Sequence, residues 1–238
     1  MFWTTTFGVT ATLTGLVIMA TCTTGERVRE TQEDPTPATD SPFVLDPQST
    51  VELTGGATIG SWGCTSERVN GAIAPDADAQ AIAAALDRLE QNPELELTIP
   101  EDYAFTTHLR VPVESFDCGN RDMEQDMHEA LKMAEHPTIE YGLATIDAVT
   151  VIDDEDDPSN ALRLRTRGEL TLAGAQRDIE MDVIARRTDD GRWTLLGRKK
   201  LKMTDFDVTP PSALLGLIRA RDTVEVVFDL VVRQSPSD

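Results

Sequence analysis

The chain has 238 residues, enough for one domain of ordinary size once its ends are set aside. Its 42 acidic residues outnumber 21 basic ones and leave a net charge of -21, which disfavours nucleic acid as a partner because phosphate binding needs a basic surface. Lysine is confined to Lys132, Lys199, Lys200 and Lys202, so the expected surface is acidic, lysine-poor and halophile-like.

The N-terminal stretch predicts export. Phe7 to Ala20 is an apolar run too short to span a membrane comfortably and suited to the core of a signal peptide. Cys22 follows it directly, within Met19-Ala20-Thr21-Cys22, so residues 1–22 read as a signal peptide resembling a lipoprotein signal, with Cys22 as the candidate lipidation residue. Thr21 stands where a smaller residue is usual, which leaves an ordinary cleaved signal peptide as the alternative. Residues 23–42 are rich in Thr, Pro, Asp and Glu; with little apolar surface to offset ordering entropy, they read as a flexible acidic tether.

The folded part is expected over residues 43–233, with 234–238 as a tail. Ser49 to Gly71 reads as strand, turn and strand. Asp76 to Gln91 has apolar residues at helical spacing (Ile82, Ala85, Leu86, Leu89), with Pro93 just beyond. Phe105 to Val113 alternates as a strand, and Met123, Met127, Ala130, Leu131 and Ala134 then recur at helical intervals up to Pro137. Beyond this point almost everything alternates with period two. Ile139, Tyr141 and Leu143 share a face; so do Leu162, Leu164, Leu170 and Leu172; so do Ile179, Met181 and Val183; and so do Val224, Val226, Phe228, Leu230 and Val232. Gly174 and Asp190-Gly191 mark hairpins, and the acidic run Asp153 to Pro158 is a hairpin tip without the glycine and closing glutamate of an EF-hand loop. The link from Leu201 to Leu217 is stiff and apolar, which predicts that it rests on the core or covers a cavity.

Strands with one apolar face, joined by short turns and without a βαβ rhythm, predict a mainly β fold: an antiparallel eight-stranded barrel with two added helices. A barrel of about eight strands either fills with side chains or holds one small ligand. The inward set, and hence the candidate ligand lining, is Val111, Val113, Ile139, Tyr141, Leu143, Leu170, Ile179, Met181, Val183, Leu195, Leu201 and Phe228, with Phe206, Leu214 and Leu217 as candidate closing residues on the 201–217 link. No catalytic pattern emerges: His108, His128 and His136 lack metal-ligand spacing, and no nucleophile elbow or phosphate loop is present. Lys199 shares the face of Leu195 and Leu201, as a rim lysine or a contact for a ligand headgroup.

Ser61-Trp62, Val111-Pro112-Val113, Met123, Ala130-Leu131-Lys132, His136-Pro137-Thr138-Ile139, Gly168 to Gly174, Leu201 to Phe206, and Pro210-Pro211 with Gly216 stand in an order and spacing that together, from about Ser49 to Val232, resemble the YceI-like domain family. The resemblance implies a lipocalin-like barrel with an apolar tunnel, an envelope or periplasmic location, and non-catalytic binding of an isoprenoid or fatty-acyl lipid. No cofactor is expected beyond a bound lipid or isoprenoid quinone, and membrane contact is expected only through the candidate lipid anchor at Cys22. A homodimer stays open. The acidic segment Asp76 to Gln91 and the two cysteines Cys64 and Cys118 depart from many members. In an exported protein these cysteines are expected to pair, closing a loop of about fifty-five residues, with two free thiols or a metal pair as the alternatives.

Overall fold

In the computed structural model, the described residues are 43–75, 88, 92, 96–98, 105–154, 157–188, 190–213 and 217–234. The candidate signal peptide, Cys22, the tether and all but Arg88 of the predicted helix Asp76–Gln91 lie outside them.

The strands are β1 (Phe43–Leu45), β2 (Thr50–Ala57), β3 (Ser61–Ser66), β4 (Asn70–Pro75), β5 (Glu96–Thr98), β6 (Phe105–Pro112), β7 (Thr138–Asp154), β8 (Asp157–Leu172), β9 (Ala175–Arg187), β10 (Trp193–Lys202), β11 (Ser212–Ala213) and β12 (Ile218–Gln234). Hydrogen bonding runs β1-β4-β6-β7-β8-β9-β10-β12 and returns to β1, so eight strands close an antiparallel barrel. Closure removes most free edges along this ring, although β9 and β10 pair only from Trp193 to Gly197. β2 continues along β12 beyond β1, and β3 pairs with β2. The short β5, which has too few residues to show alternation, pairs with β7 at Thr150 to Ala148.

Turn chemistry sets the register. Ala173 and Gly174 both have positive φ (51° and 83°), and Leu172 pairs with Ala175, which gives the two-residue mirror-image turn that matches strand twist. Gly191 (φ 81°) turns β9 into β10, and Asp154 pairs with Asp157 at the acidic tip. β12 runs to Gln234, one residue into the stretch read as tail.

Three glycines inside strands make room for aromatic rings from their neighbours. A Cβ at Gly55 would lie 2.5 Å from the Trp62 ring, one at Gly168 would lie 2.3 Å from the Tyr141 hydroxyl, and one at Gly197 would lie 2.0 Å from Phe228. These rings cover the glycines and pin the register of the strand pairs they bridge.

The one helix with described ends, α1 (Arg121–Ala130), starts at Asn120, whose side chain accepts from the amides of Asp122 at 2.9 Å and Met123 at 3.3 Å. It stops earlier than the apolar spacing suggests. Lys132 takes a left-handed φ of 53°, and the turn that follows, with His136 N–H donating to the Lys132 carbonyl, carries Ala134 out of the helix.

The interior divides into two apolar clusters. The larger includes Val111, Val113, Phe116, Met127, Leu131, Leu170, Ile179, Phe206 and Leu230. The smaller, Val149, Leu162 and Ala185 with Leu97, Ile146, Val151, Leu164 and Trp193 against it, fills the end where β7 and β9 finish and β8 and β10 begin.

Candidate functional site

The opposite end of the barrel is hollow. A cavity of about 480 Å³ lies under α1 and the link that follows β10, within the usual range for small-molecule pockets. Its wall takes Val51 and Leu53 from β2, Trp62 and Cys64 from β3, Val111 from β6, Ile139 from β7, Leu170 and Leu172 from β8, Leu201 from β10, and Val224 and Val226 from β12. Met123, Met127 and Ala130 reach it from α1; Met203, Phe206, Val208 and Pro211 reach it from the link. Methionines give such a wall a soft, adjustable surface.

The candidate lining residues do not all share this space. Val111, Ile139, Leu170, Leu201 and Phe206 line the cavity. Val113, Tyr141, Ile179, Met181, Leu195 and Phe228 belong to the packed core around it. Val183 is buried elsewhere in the barrel, and Leu143 is half-buried outside both clusters. Leu214 lies outside the described residues. Leu217 is a correction: it is 75% exposed, because β12 begins at Ile218 and Leu217 stands in the turn before it, beyond the barrel end.

Residues that alternation alone did not single out supply much of the wall. Trp62 covers Gly55 from the facing strand, and its buried indole N–H has no hydrogen-bond partner among the described residues. An unpaired buried donor is costly, so this N–H is a ready partner for an acceptor on a bound molecule. Polar groups at the wall are the capping Asn120, Asp122 and Asp126 of α1, and Ser61, Lys202 and Ser212. Lys199 is not among them. Its ammonium donates to the Glu180 carbonyl, across the seam where β9 and β10 stop pairing beyond Gly197 and Val183. Burial pushes the Tyr141 phenol above its usual range, and a hydrogen bond with Thr166 opposes this less strongly.

The link over the cavity is firmly held. Residues Met203–Phe206 form a 3-10 turn that ends in Asp207, at a left-handed φ of 55°. Phe206 is 2% exposed. A bulge in β12 between Ala220 and Val224 turns Asp222 toward the turn, where its carboxylate accepts from the Thr204 amide at 3.0 Å and from its hydroxyl at 2.8 Å. The Ala220 N–H donates to the Pro211 carbonyl at 2.9 Å.

The Thr204 amide, then its hydroxyl, hold the Asp222 carboxyl below its ordinary 3.8. The sign follows: a depressed folded pKa means that this contribution to stability is present above the ordinary value and is lost as pH falls through the folded one. The clamp is therefore expected to stay whole at neutral pH. Asp222→Ala should raise hydrogen exchange at the Thr204 amide about tenfold. An NMR titration of that amide in the parent and the variant checks both expectations.

Cys64 and Cys118 form a disulfide. It joins β3 to the segment entering α1, beside paired backbone hydrogen bonds between Thr65 and Asp117 of 2.9 and 2.8 Å. The helical cover is thus fixed to the barrel wall at its start. No group of His, Cys, Asp or Glu suited to a metal ion occurs among the described residues.

Comparison with known proteins agrees with this architecture. No curated protein matches the chain. A polyisoprenoid-binding domain from Saccharophagus degradans implicated in plant cell wall breakdown has the same fold, with a TM-score of 0.54 and 14% identity, over 82% of this chain and 99% of that one. BcnA of Burkholderia cenocepacia matches at a TM-score of 0.50 and 14% identity, over 79% of this chain and 98% of the other. The profile of the YceI-like domain family matches residues 45–232, nearly the whole described barrel, and the chain belongs to that family.

Proposed function

We propose that this chain is an exported, non-catalytic binding protein of the cell envelope, which holds an isoprenoid or similar amphiphilic lipid in its barrel. The observation that carries the reading is the cavity of about 480 Å³ at one end of the barrel, walled mostly by aliphatic, methionine and aromatic side chains. Such a space needs no directional group along most of its wall, since each buried CH₂ of a ligand gains about 0.8 kcal/mol. The apolar part of the ligand lies between β2, β8 and β12, under Met123, Met127 and Phe206. Its polar end sits near the Trp62 indole or the Asp122, Asp126 and Lys202 side of the wall. The reading is supported by the family and by the polyisoprenoid-binding neighbour from Saccharophagus degradans. An exported location, with or without acylation at Cys22, fits the signal-like stretch Phe7 to Ala20.

The packed far end of the barrel favours a second reading, a structural or partner-binding envelope protein whose interior is filled by its own side chains. The hollow end weighs against it. Native mass spectrometry of protein purified from its own host separates the two. A co-purifying lipid, or uptake of an isoprenoid quinone or polyprenol from detergent, is the expected result. A bare mass that persists after incubation with both would sink the proposal.

A further inference from the structure

Large apolar side chains that stand out from the described surface are Ile59, 72% exposed, Leu217, 75% exposed, and Leu196, 42% exposed. The first two are neighbours across two loops. Thr58, next to Ile59, donates its hydroxyl to the Leu217 carbonyl at 3.2 Å and its amide to the Arg219 carbonyl at 2.9 Å; the Arg219 amide donates back to the Thr58 hydroxyl at 3.1 Å. The β2–β3 tip and the turn before β12 are therefore one rigid edge carrying two aliphatic side chains into water.

This edge is continuous with the cavity. Ile59 is also part of the cavity wall, and so are Ala57 and Ile218, which flank the same hydrogen bonds. Arg219 and Arg221 are exposed beside it, and the Arg221 chain runs over Gly56, near the β2–β3 tip. In a chain of net charge -21, an edge with two protruding aliphatic residues and two arginines has a distinct chemistry. It suits an interface where apolar tips enter acyl chains and guanidinium groups stay among phosphates. A protein groove would satisfy the aliphatic pair as well. A bilayer also matches the continuity of Ile59 with the apolar cavity.

We propose that the linked tips carrying Ile59 and Leu217 are the surface by which this chain docks on a lipid bilayer, bringing the cavity to the membrane from which its ligand comes. The second half of this statement rests on the lipid-binding reading; the docking itself does not.

The test places a tryptophan at the tip of the full chain, Ile59→Trp, with Leu196→Trp as the control on β10. Emission is read on vesicles of phosphatidylethanolamine and phosphatidylglycerol with brominated acyl chains, in salt that screens the net charge. The contrast between tip and control holds even if an N-terminal anchor keeps all variants near the bilayer. Insertion of the tip by about 5–10 Å predicts at least a roughly two-fold loss of the added Ile59→Trp emission and little loss for Leu196→Trp. Adding Leu217→Ser to Ile59→Trp should restore most of that emission. Equal quenching at the two positions, or none at either, overturns the proposal. Binding of detergent-dispersed quinone, measured in parallel on the parent chain, judges the lipid-binding reading separately, so each can fail without the other.

Discussion

Phe206→Ala is expected to lower the unfolding free energy by about 3–5 kcal/mol, as large-to-small changes at buried aromatic sites do. The ring is 2% exposed, belongs to the main core and forms part of the cavity wall. The cost depends on whether the surroundings can close over the space left behind. Here they are held apart. Asp222 fixes Thr204 from one side, Asp207 sits in a left-handed conformation just after the ring, and the Pro211 carbonyl is tied to Ala220. The void should therefore merge with the cavity instead of collapsing. Urea unfolding should show a lower midpoint with an unchanged slope, since the surface exposed on unfolding hardly changes. Leu217→Ala, on the same link but in water, should stay within about 0.5 kcal/mol of the parent. If Phe206→Ala were equally silent, the link would be an ornament on the barrel and not part of its wall.

That contrast shows how far the sequence can be read. Period-two alternation in β8, β9, β10 and β12 is plain because one face meets the interior along most of each strand, and Asp190-Gly191 and Gly174 fix where the hairpins turn. Alternation reports a side, however, and not a depth. Leu170 and Ile179 carry the same signal, yet Leu170 lines the cavity while Ile179 packs in the core beside it. Which end of the barrel is hollow depends on what caps it, and the caps are α1 and the 203–213 link, whose placement follows from long-range contacts. Leu217 shows a related limit: apolar character does not imply burial, because a residue at a tip has nothing to pack against.

Strand glycines carried the opposite hazard. Gly55, Gly168 and Gly197 look like breaks in a strand, but each is the place where a ring from a neighbouring strand occupies the space of a side chain. The signal was in the sequence as an excess of glycine among alternating residues. Its meaning needed the register, which pairs Gly55 with Trp62 and Gly197 with Phe228. Trp62 was visible as part of a family motif, whereas its unpaired buried N–H became visible only when the surroundings of the ring were known.

Removing the disulfide by Cys64→Ala with Cys118→Ala is expected to cost about 4 kcal/mol, the loop-closure entropy of a bridge across a sequence separation of 54. Most of this acts on the unfolded chain, which gains freedom when the loop is opened. The denaturant slope should therefore rise as the midpoint falls, unlike the Phe206→Ala case, because the unfolded state exposes more surface. The folded site should change less. Thr65 and Asp117 still exchange two backbone hydrogen bonds beside the lost bridge, and Asn120 still caps α1. On the proposed lipid-binding reading, quinone affinity at a temperature where both proteins are folded should thus differ little between parent and variant. A thiol assay on the unfolded, unreduced parent should find neither Cys64 nor Cys118 reactive. Two reactive thiols, or a variant as stable as the parent, would mean that the bridge does not hold α1 to β3. The cover of the cavity would then depend on the Thr65–Asp117 pair and on side-chain packing by Met123, Met127 and Leu131 alone.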